Sequence, residues 1–97
     1  MAGYVTLFKY TQQGLADIKT LAARLPKTKE LIEKNGARLV GIWWTLGEYD
    51  GVVIIDAPDE QVVAAIMLAN GMRGIVTSQT MRAFSEDEIM KVVARLP

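Results

Sequence analysis

The segment Gly47-Glu48-Tyr49-Asp50 holds the side chains of this sequence that are best suited to chemistry. Asp50 could act as a base or accept a hydrogen bond from a ligand, with the Tyr49 phenol beside it as a donor; a carboxylate acting as a general acid near neutrality would need burial to raise its pKa. The same residues suit a hairpin, in which Gly47 takes a backbone conformation closed to other residues and Asp50 binds turn amides. The structural interpretation is favoured. The single carboxylate pair Glu48/Asp50, without a third ligand nearby, does not predict a metal site.

The composition removes most side chains on which catalysis depends. The chain has 97 residues, no cysteine and no histidine, which excludes thiolate nucleophiles, Cys- or His-ligated metals and Ser-His-Asp triads. Eleven Lys+Arg balance eleven Asp+Glu, which argues against a nucleic-acid partner bound through phosphate neutralisation. The eight glycines stand singly and form no phosphate-binding loop, and no cofactor is predicted.

The same sequence predicts one domain over residues 1–97. Its apolar runs are too short for a membrane span, and no secretory pattern precedes the first predicted strand. A cytoplasmic protein without a membrane partner is therefore expected.

Alternating and helical periodicities predict the order β-α-β-β-α-β, followed by a short helix. Strands are predicted at 3–11, 37–47, 52–55 and 73–84, and helices at 12–35, from 58 to 70 and after 85. Pro26 predicts a kink or two helical pieces, and Pro58 suits the first position of the second long helix. Gly36 suits the left-handed position after the first helix, and Ser85 with Glu88 forms a capping box.

This order predicts an α+β fold of the ferredoxin-like type. With right-handed crossovers, it gives a four-stranded antiparallel sheet with both long helices on one face and strands one and three at its centre. The polar stretch at 77–80 suits an edge strand.

Apolar residues on both faces of the strands predict that the face without helices is also covered. The third strand is apolar on both parities, and the first carries Tyr4, Thr6, Phe8 and Tyr10 opposite Val5 and Leu7. An uncovered face would exceed the ~300–600 Å² that is typical of a monomer's largest apolar patch. A homodimer or higher homo-oligomer with two sheets face to face is expected; a monomer with an apolar sheet is the alternative.

Rings and hydroxyls on the first strand make a candidate ligand pocket on the open face. Such mixtures line small-molecule pockets, although they also occur in dimer interfaces, and the interface is the favoured interpretation. Trp43 and Trp44 are adjacent and so point to opposite faces, one towards the helices and one towards a partner. The candidate ligand-binding residues are Tyr4, Thr6, Phe8, Trp44, Tyr49, Asp50 and Gln79.

The segment 44–50, with the strand at 52–55 and Ala57-Pro58-Asp59 after it, resembles the GYD-domain family. The opening Tyr4-Val5-x-Leu7 and the final Arg82-Ala83-Phe84-Ser85 are similar to it as well. Gly51 and Ala37 depart from the pattern, since a valine-like residue and a glycine are expected there. The resemblance implies a ferredoxin-like fold akin to dimeric α+β barrel proteins, and it implies no activity and no site residues.

Three functions follow as hypotheses. The first and preferred one is a homo-oligomeric binding or structural module, because it demands nothing that the composition lacks. The second is a cofactor-free enzyme, of monooxygenase or isomerase type, acting on a small apolar or aromatic substrate. The third is a sensor with a small-molecule ligand.

Overall fold

The computed structural model describes residues Met1–Pro97, and the predicted order of elements is present. A short helix and a 3₁₀ turn at Ile18–Thr20 precede the first long helix. The elements are β1 (Ala2–Tyr10), α1 (Gln12–Ala16), α2 (Leu21–Lys34), β2 (Arg38–Trp44), β3 (Gly51–Ala57), α3 (Glu60–Met72), β4 (Val76–Ala83) and α4 (Glu86–Val93).

The sheet has the predicted topology. Its four strands lie in the order β2-β3-β1-β4, and every neighbouring pair is antiparallel. β1 and β3 form the centre and β4 forms an edge, which agrees with the polar stretch at 77–80. The fold is α+β and ferredoxin-like, with the core between one sheet face and helices α2 and α3.

The core forms where β1 and β3 meet these two helices. Tyr4 of β1 lies opposite Ile55 of β3, and both are buried beside Ile32 of α2 and Ile66 of α3. Ile55 and Ile66 are 1% and 0% exposed. The apolar stripes of the helices therefore pack against every second residue of each central strand.

The predicted assignment of β1 residues to the two faces is wrong. Tyr4, Thr6 and Phe8 are buried on the face that packs against the helices, whereas Val5 and Leu7 point to the open side. Alternation shows which residues share a face, but it does not show which face the crossover helices cover. The aromatic rings occupy the helix side because only there does a single chain provide atoms to pack against them.

The first predicted helix breaks before Pro26 rather than at it. The Asp17 amide donates back to α1, and the Thr20 hydroxyl donates to the Asp17 carbonyl at 2.6 Å, which closes the 3₁₀ turn. α2 then runs unbroken through Pro26. Pro26 and Ala22 are exposed, so water can satisfy the carbonyl that a proline nitrogen leaves without its helical donor.

The bounds of α3 also differ from the prediction. Asp59, not Pro58, borders this helix: its side chain accepts a hydrogen bond from the Val62 amide at 2.9 Å. The helix passes through Gly71 and ends beyond it, and the left-handed residue that follows is Gly74, with φ of 68°.

Three local predictions are confirmed. Gly36 has a φ of 81° after α2, and Gly47 has a φ of 111° in the β2–β3 hairpin. Ser85 and Glu88 form the capping box at the start of α4, with both reciprocal hydrogen bonds present.

No helix of the chain combines the length and the apolar composition that crossing a membrane requires.

Candidate functional site

Asp50 fastens the β2–β3 hairpin to the end of β1. Its Oδ2 accepts a hydrogen bond from the Tyr10 amide at 2.7 Å, and its own amide donates to the Phe8 carbonyl at 2.8 Å. Its carbonyl accepts from the Thr45 amide at 2.9 Å. The carboxylate thus binds a main-chain amide, but this amide lies at the end of β1 and not in the turn, where the structural interpretation places it. Asp50 lines no cavity described below.

Tyr49 lies over the open side of the sheet. Its hydroxyl donates to Oε1 of Gln79 at 3.1 Å, and the Lys9 ammonium lies 5.0 Å from its ring centroid. Lys9 also pairs with Glu48 at 3.5 Å. These contacts hold the hairpin across one end of the sheet, on the face that the helices leave free.

We use the name open sheet face for the apolar side chains that point away from the helices. Val5 of β1 lies between Ile54 of β3 and Met81 of β4 in the pairing register. Trp43 at the β2 edge is 51% exposed. The members of the open sheet face are Val5, Leu7, Trp43, Val52, Ile54 and Met81.

α4 adds a second uncovered apolar surface. This helix makes few contacts with the rest of the chain, and an Arg82–Glu88 ion pair of 2.8 Å ties it to β4. The apolar side chains of α4 and the residues after it are exposed by 39% or more; they are Ile89, Met90, Val92, Val93 and Leu96.

A cavity of about 110 Å³ lies on the other side of the sheet, between its helix face and helices α2 and α3, and it is partly open to solvent. Of the 18 residues that line it, 12 are hydrophobic. Among the lining residues, the Trp44 indole donates to the Tyr10 hydroxyl at 2.9 Å, and Thr6 shares a 2.8 Å hydrogen bond with Thr80, which does not line the cavity. The cavity is therefore apolar, and these polar lining groups are already paired.

The predicted ligand-binding residues separate into four places. Thr6, Phe8 and Trp44 line the cavity, and Tyr4 lies in the neighbouring core. The remaining ones do not line it: Tyr49 and Gln79 meet on the open side, and Asp50 lies in the hairpin. The candidate ligand-binding residues thus lie on opposite faces of one sheet.

Arg24 of α2 is a lining residue that the sequence reasoning missed. Its Nε donates to the Thr20 hydroxyl at 2.9 Å, whereas its Nη2 is buried and has no hydrogen-bond partner. The sequence signal for this placement is spacing. Arg24 lies three residues after Leu21 and four before Thr28, which also line the cavity, and such spacing puts side chains on one helix face.

The acidic side chains of the protein lie away from the cavity lining. None of them lines the cavity, and no group of three or more comes together as a set of metal ligands. The cavity lining therefore carries positive charge from arginine without a neighbouring carboxylate to balance it.

Known proteins resemble the chain over most of its length. A curated relative from Thermus thermophilus, the "glutamine synthetase and cystathionine beta-lyase binding protein", is 29% identical over 97 residues, which cover 99% of each chain. The structure of MtbAldR matches with a TM-score of 0.67 at 9% identity, over 88% of this chain and 52% of that one, so this chain spans about half of it. A 5-chloro-2-hydroxyhydroquinone dehydrochlorinase from Burkholderia phenoliruptrix, complexed with 2,5-dihydroxybenzoquinone, matches with a TM-score of 0.62 at 14% identity, over 90% of this chain and 97% of that one.

At such identities, the solved structures show a shared fold and nothing more. The family assignment has a firmer basis, because the model of the GYD domain matches residues 4–93. The match includes the hairpin with its left-handed glycine, the strand that follows and the capped start of α4. The chain belongs to the GYD-domain family.

Proposed function

We propose that this protein is a small cytoplasmic binding module that works as a homodimer and attaches to enzymes. The observation that carries the proposal is the open sheet face, whose apolar side chains no helix of the chain covers. Its centre, Val5 beside Ile54, is partly exposed, and Trp43 at its edge is 51% exposed. A second copy placed face to face would remove the same side chains from water on both chains.

The area of the sheet alone falls short of a stable interface. Strands of seven residues span about 23 Å, and four of them side by side span about 19 Å, so the face measures roughly 440 Å². Standard interfaces bury about 800 Å² on each partner. We infer that α4 supplies the remainder by laying its apolar side, including Ile89, Val93 and Leu96, against the partner chain.

Charge does not oppose this association. The chain carries no formal net charge, so two copies meet without long-range repulsion. The charged residues at the two ends of the open sheet face are paired within one chain, Lys9 with Glu48 and Arg38 with Asp56. Apposed sheets would therefore not bury an unpaired charge, which is the costly outcome.

The choice of partner follows the Thermus thermophilus relative, which is named for binding glutamine synthetase and cystathionine β-lyase. We propose that this chain likewise binds one or both of these enzymes. The alternative of a cofactor-free enzyme lacks comparable support, because the carboxylate of Asp50, the acid–base candidate, is held by the Tyr10 amide away from the cavity.

Two matched lysine substitutions test the dimer. Ile54→Lys places a charge in the middle of the open sheet face, whereas Leu68→Lys places one on α3, where Leu68 is 71% exposed. In size-exclusion chromatography with light scattering, wild type and Leu68→Lys are expected at twice the 10.7 kDa chain mass, and Ile54→Lys at the mass of one chain. A monomeric wild type, or a dimeric Ile54→Lys variant, would contradict the proposed interface.

Enzyme binding is measured separately. Purified glutamine synthetase and cystathionine β-lyase are titrated against the immobilised wild type by biolayer interferometry, with Leu68→Lys and Ile54→Lys alongside. Binding by the dimeric proteins and weaker binding by Ile54→Lys would support an enzyme-binding dimer. No binding of either enzyme by the wild type would refute these partners and would leave the dimer to be judged by its mass.

A further inference from the structure

Arg24 lines the cavity and carries one hydrogen-bond donor that has no partner. Its Nη2 is the only buried side-chain nitrogen or oxygen atom of the chain that has no partner. The same guanidinium is held in place by its Nε, which donates to Thr20 at 2.9 Å. A buried donor on a charged group loses its water without compensation. An acceptor held in the cavity that Arg24 lines would satisfy this donor once the guanidinium turns towards the cavity.

The charges around the cavity indicate that this acceptor is an anion. Arg24 and Arg73 both line the cavity, and no aspartate or glutamate does. Neither arginine takes part in an ion pair, because the ion pairs of the chain are Lys9–Glu48, Arg38–Asp56 and Arg82–Glu88. Arg73 is exposed, so water solvates it, whereas Arg24 is only partly exposed. A bound anion would supply the counter-charge that Arg24 lacks.

The walls indicate an apolar body for the same ligand. Phe8, Ile42 and Trp44 on the sheet side face Leu25 and Ile66 on the helix side. The volume of about 110 Å³ is somewhat below that of a cavity of about 150 Å³ that holds benzene. Because one side is open to solvent, one six-membered ring or a short branched chain fits, with a charged end near Arg24.

A carboxylate matches this setting better than a phosphate. The guanidinium presents its N–H groups in a planar fork that suits two carboxylate oxygens. A phosphate carries more charge and more acceptor oxygens, and the apolar walls offer few donors to satisfy them. We propose that the cavity between the sheet and helices α2 and α3 binds a small monocarboxylate with an apolar body, held by Arg24. This site lies on the opposite side of the sheet from the open sheet face and does not depend on the proposed dimer.

A nuclear magnetic resonance titration with benzoate tests the site, with benzamide as the neutral comparison of nearly the same shape. The indole N–H of Trp44 lies in the cavity wall and that of Trp43 on the open sheet face, so the two signals compare the two faces in one spectrum. Benzoate is expected to move the Trp44 signal and to leave the Trp43 signal in place.

Substitution at Arg24 tests the charge. Arg24→Gln is expected to weaken benzoate binding by roughly tenfold or more, since a charge-assisted hydrogen bond is lost, and to change benzamide binding by less than about twofold. Lys27→Gln is the control, because it removes a positive charge from an exposed position of the same helix that does not line the cavity. It is expected to bind benzoate as the wild type does.

Three results would overturn the proposal: a Trp44 signal that benzoate never moves, equal affinities of the wild type for benzoate and benzamide, or unchanged benzoate binding by Arg24→Gln. If Arg24→Gln does not fold, Arg24→Lys keeps the charge but loses the fork. It should then bind benzoate several-fold more weakly than the wild type, and equal affinity would count against the proposal.

Discussion

At the scale of single residues, Gly51 shows how one missing side chain shapes the site. A β-carbon at this position would overlap the Phe8 ring and lie 2.7 Å from the Trp43 carbonyl oxygen. Phe8 lies directly opposite Gly51 in the sheet, and its ring lines the cavity. A valine-like residue is expected at position 51, and the Phe8 ring explains why glycine stands there: the ring occupies the space that a side chain would need.

We predict that Gly51→Ala lowers the free energy of unfolding by about 1–3 kcal/mol, because the Phe8 ring and the β2 backbone must move to admit the methyl group. Gly71→Ala is the matched control: it lies inside α3, and a β-carbon there meets nothing within 4 Å. This control should raise stability by up to about 1 kcal/mol through the helix preference of alanine. Urea denaturation measures both, and a Gly51→Ala variant as stable as the wild type would disprove the overlap.

The sequence could identify which residues share a face, but not where their partners lie. Alternation correctly grouped Thr6 with Phe8 and separated Trp43 from Trp44. It could not determine which group meets the helices, because that depends on the packing of distant segments, and the open-face assignment predicted for Tyr4, Thr6 and Phe8 was therefore wrong. Arg24 was not predicted as a lining residue, because a charged side chain in a helix usually points to water.

At the scale of elements, α4 is held by its first turn. Glu88 accepts hydrogen bonds from Arg82 at 2.8 Å and from the Ser85 amide at 3.0 Å. The hydrogen bond from Arg82, followed by that from the Ser85 backbone, lowers the pKa of Glu88 from 4.5 to about 2. The ionised form of this carboxylate therefore stabilises the start of α4.

We predict that α4 loosens as the pH falls from 4.5 towards 2. A folded-state pKa below the ordinary value gives stability that is complete above pH 4.5 and is lost as Glu88 takes up a proton on the way to pH 2. The protection factors of the α4 amides, which correct for the pH dependence of intrinsic exchange, should fall over this range. In Glu88→Gln this dependence should be absent and protection low throughout, while Glu86→Gln in the same turn should follow the wild type. A carbon-13 titration that places the Glu88 pKa near 4.5 would contradict the prediction.

Local sequence signals predict some helix ends but not others. The capping box and the left-handed Gly36 could be predicted because each depends on a few neighbouring residues. The helix break near Asp17 was not, because Thr11 and Gly14 pack against Ile75, which is distant in sequence. The Thr11 amide donates to the Ile75 carbonyl at 2.9 Å, and a β-carbon on Gly14 would overlap that carbonyl.

At the scale of the whole molecule, a single chain is more extended than its length requires. Its radius of gyration is 14.8 Å and its extents are 52 × 31 × 19 Å, whereas a compact domain of this length has a radius near 12.5 Å. The outlying α4 agrees with this difference, since it makes few contacts with the rest of the chain. The two-sided apolar strands predicted an uncovered sheet face, but nothing in the sequence indicated that the final helix would lie apart.

If two chains share one folded unit, the melting temperature must depend on protein concentration. A tenfold increase in concentration favours the dimer by about 1.4 kcal/mol, or about 0.7 kcal/mol per chain. For a domain of this size, that corresponds to a rise in melting temperature of roughly 3–6 °C.

Val93→Lys should reduce this rise if α4 packs on the partner. Val93 is 50% exposed in one chain, and a lysine there would place a charge in the interface. Ala94→Lys, at the exposed end of the same helix, should melt with the wild-type dependence. Differential scanning fluorimetry over a hundredfold range of concentration makes the comparison. A Val93→Lys variant with the wild-type dependence would show that α4 has no part in the interface, and a wild-type melting temperature that ignores concentration would argue against the dimer.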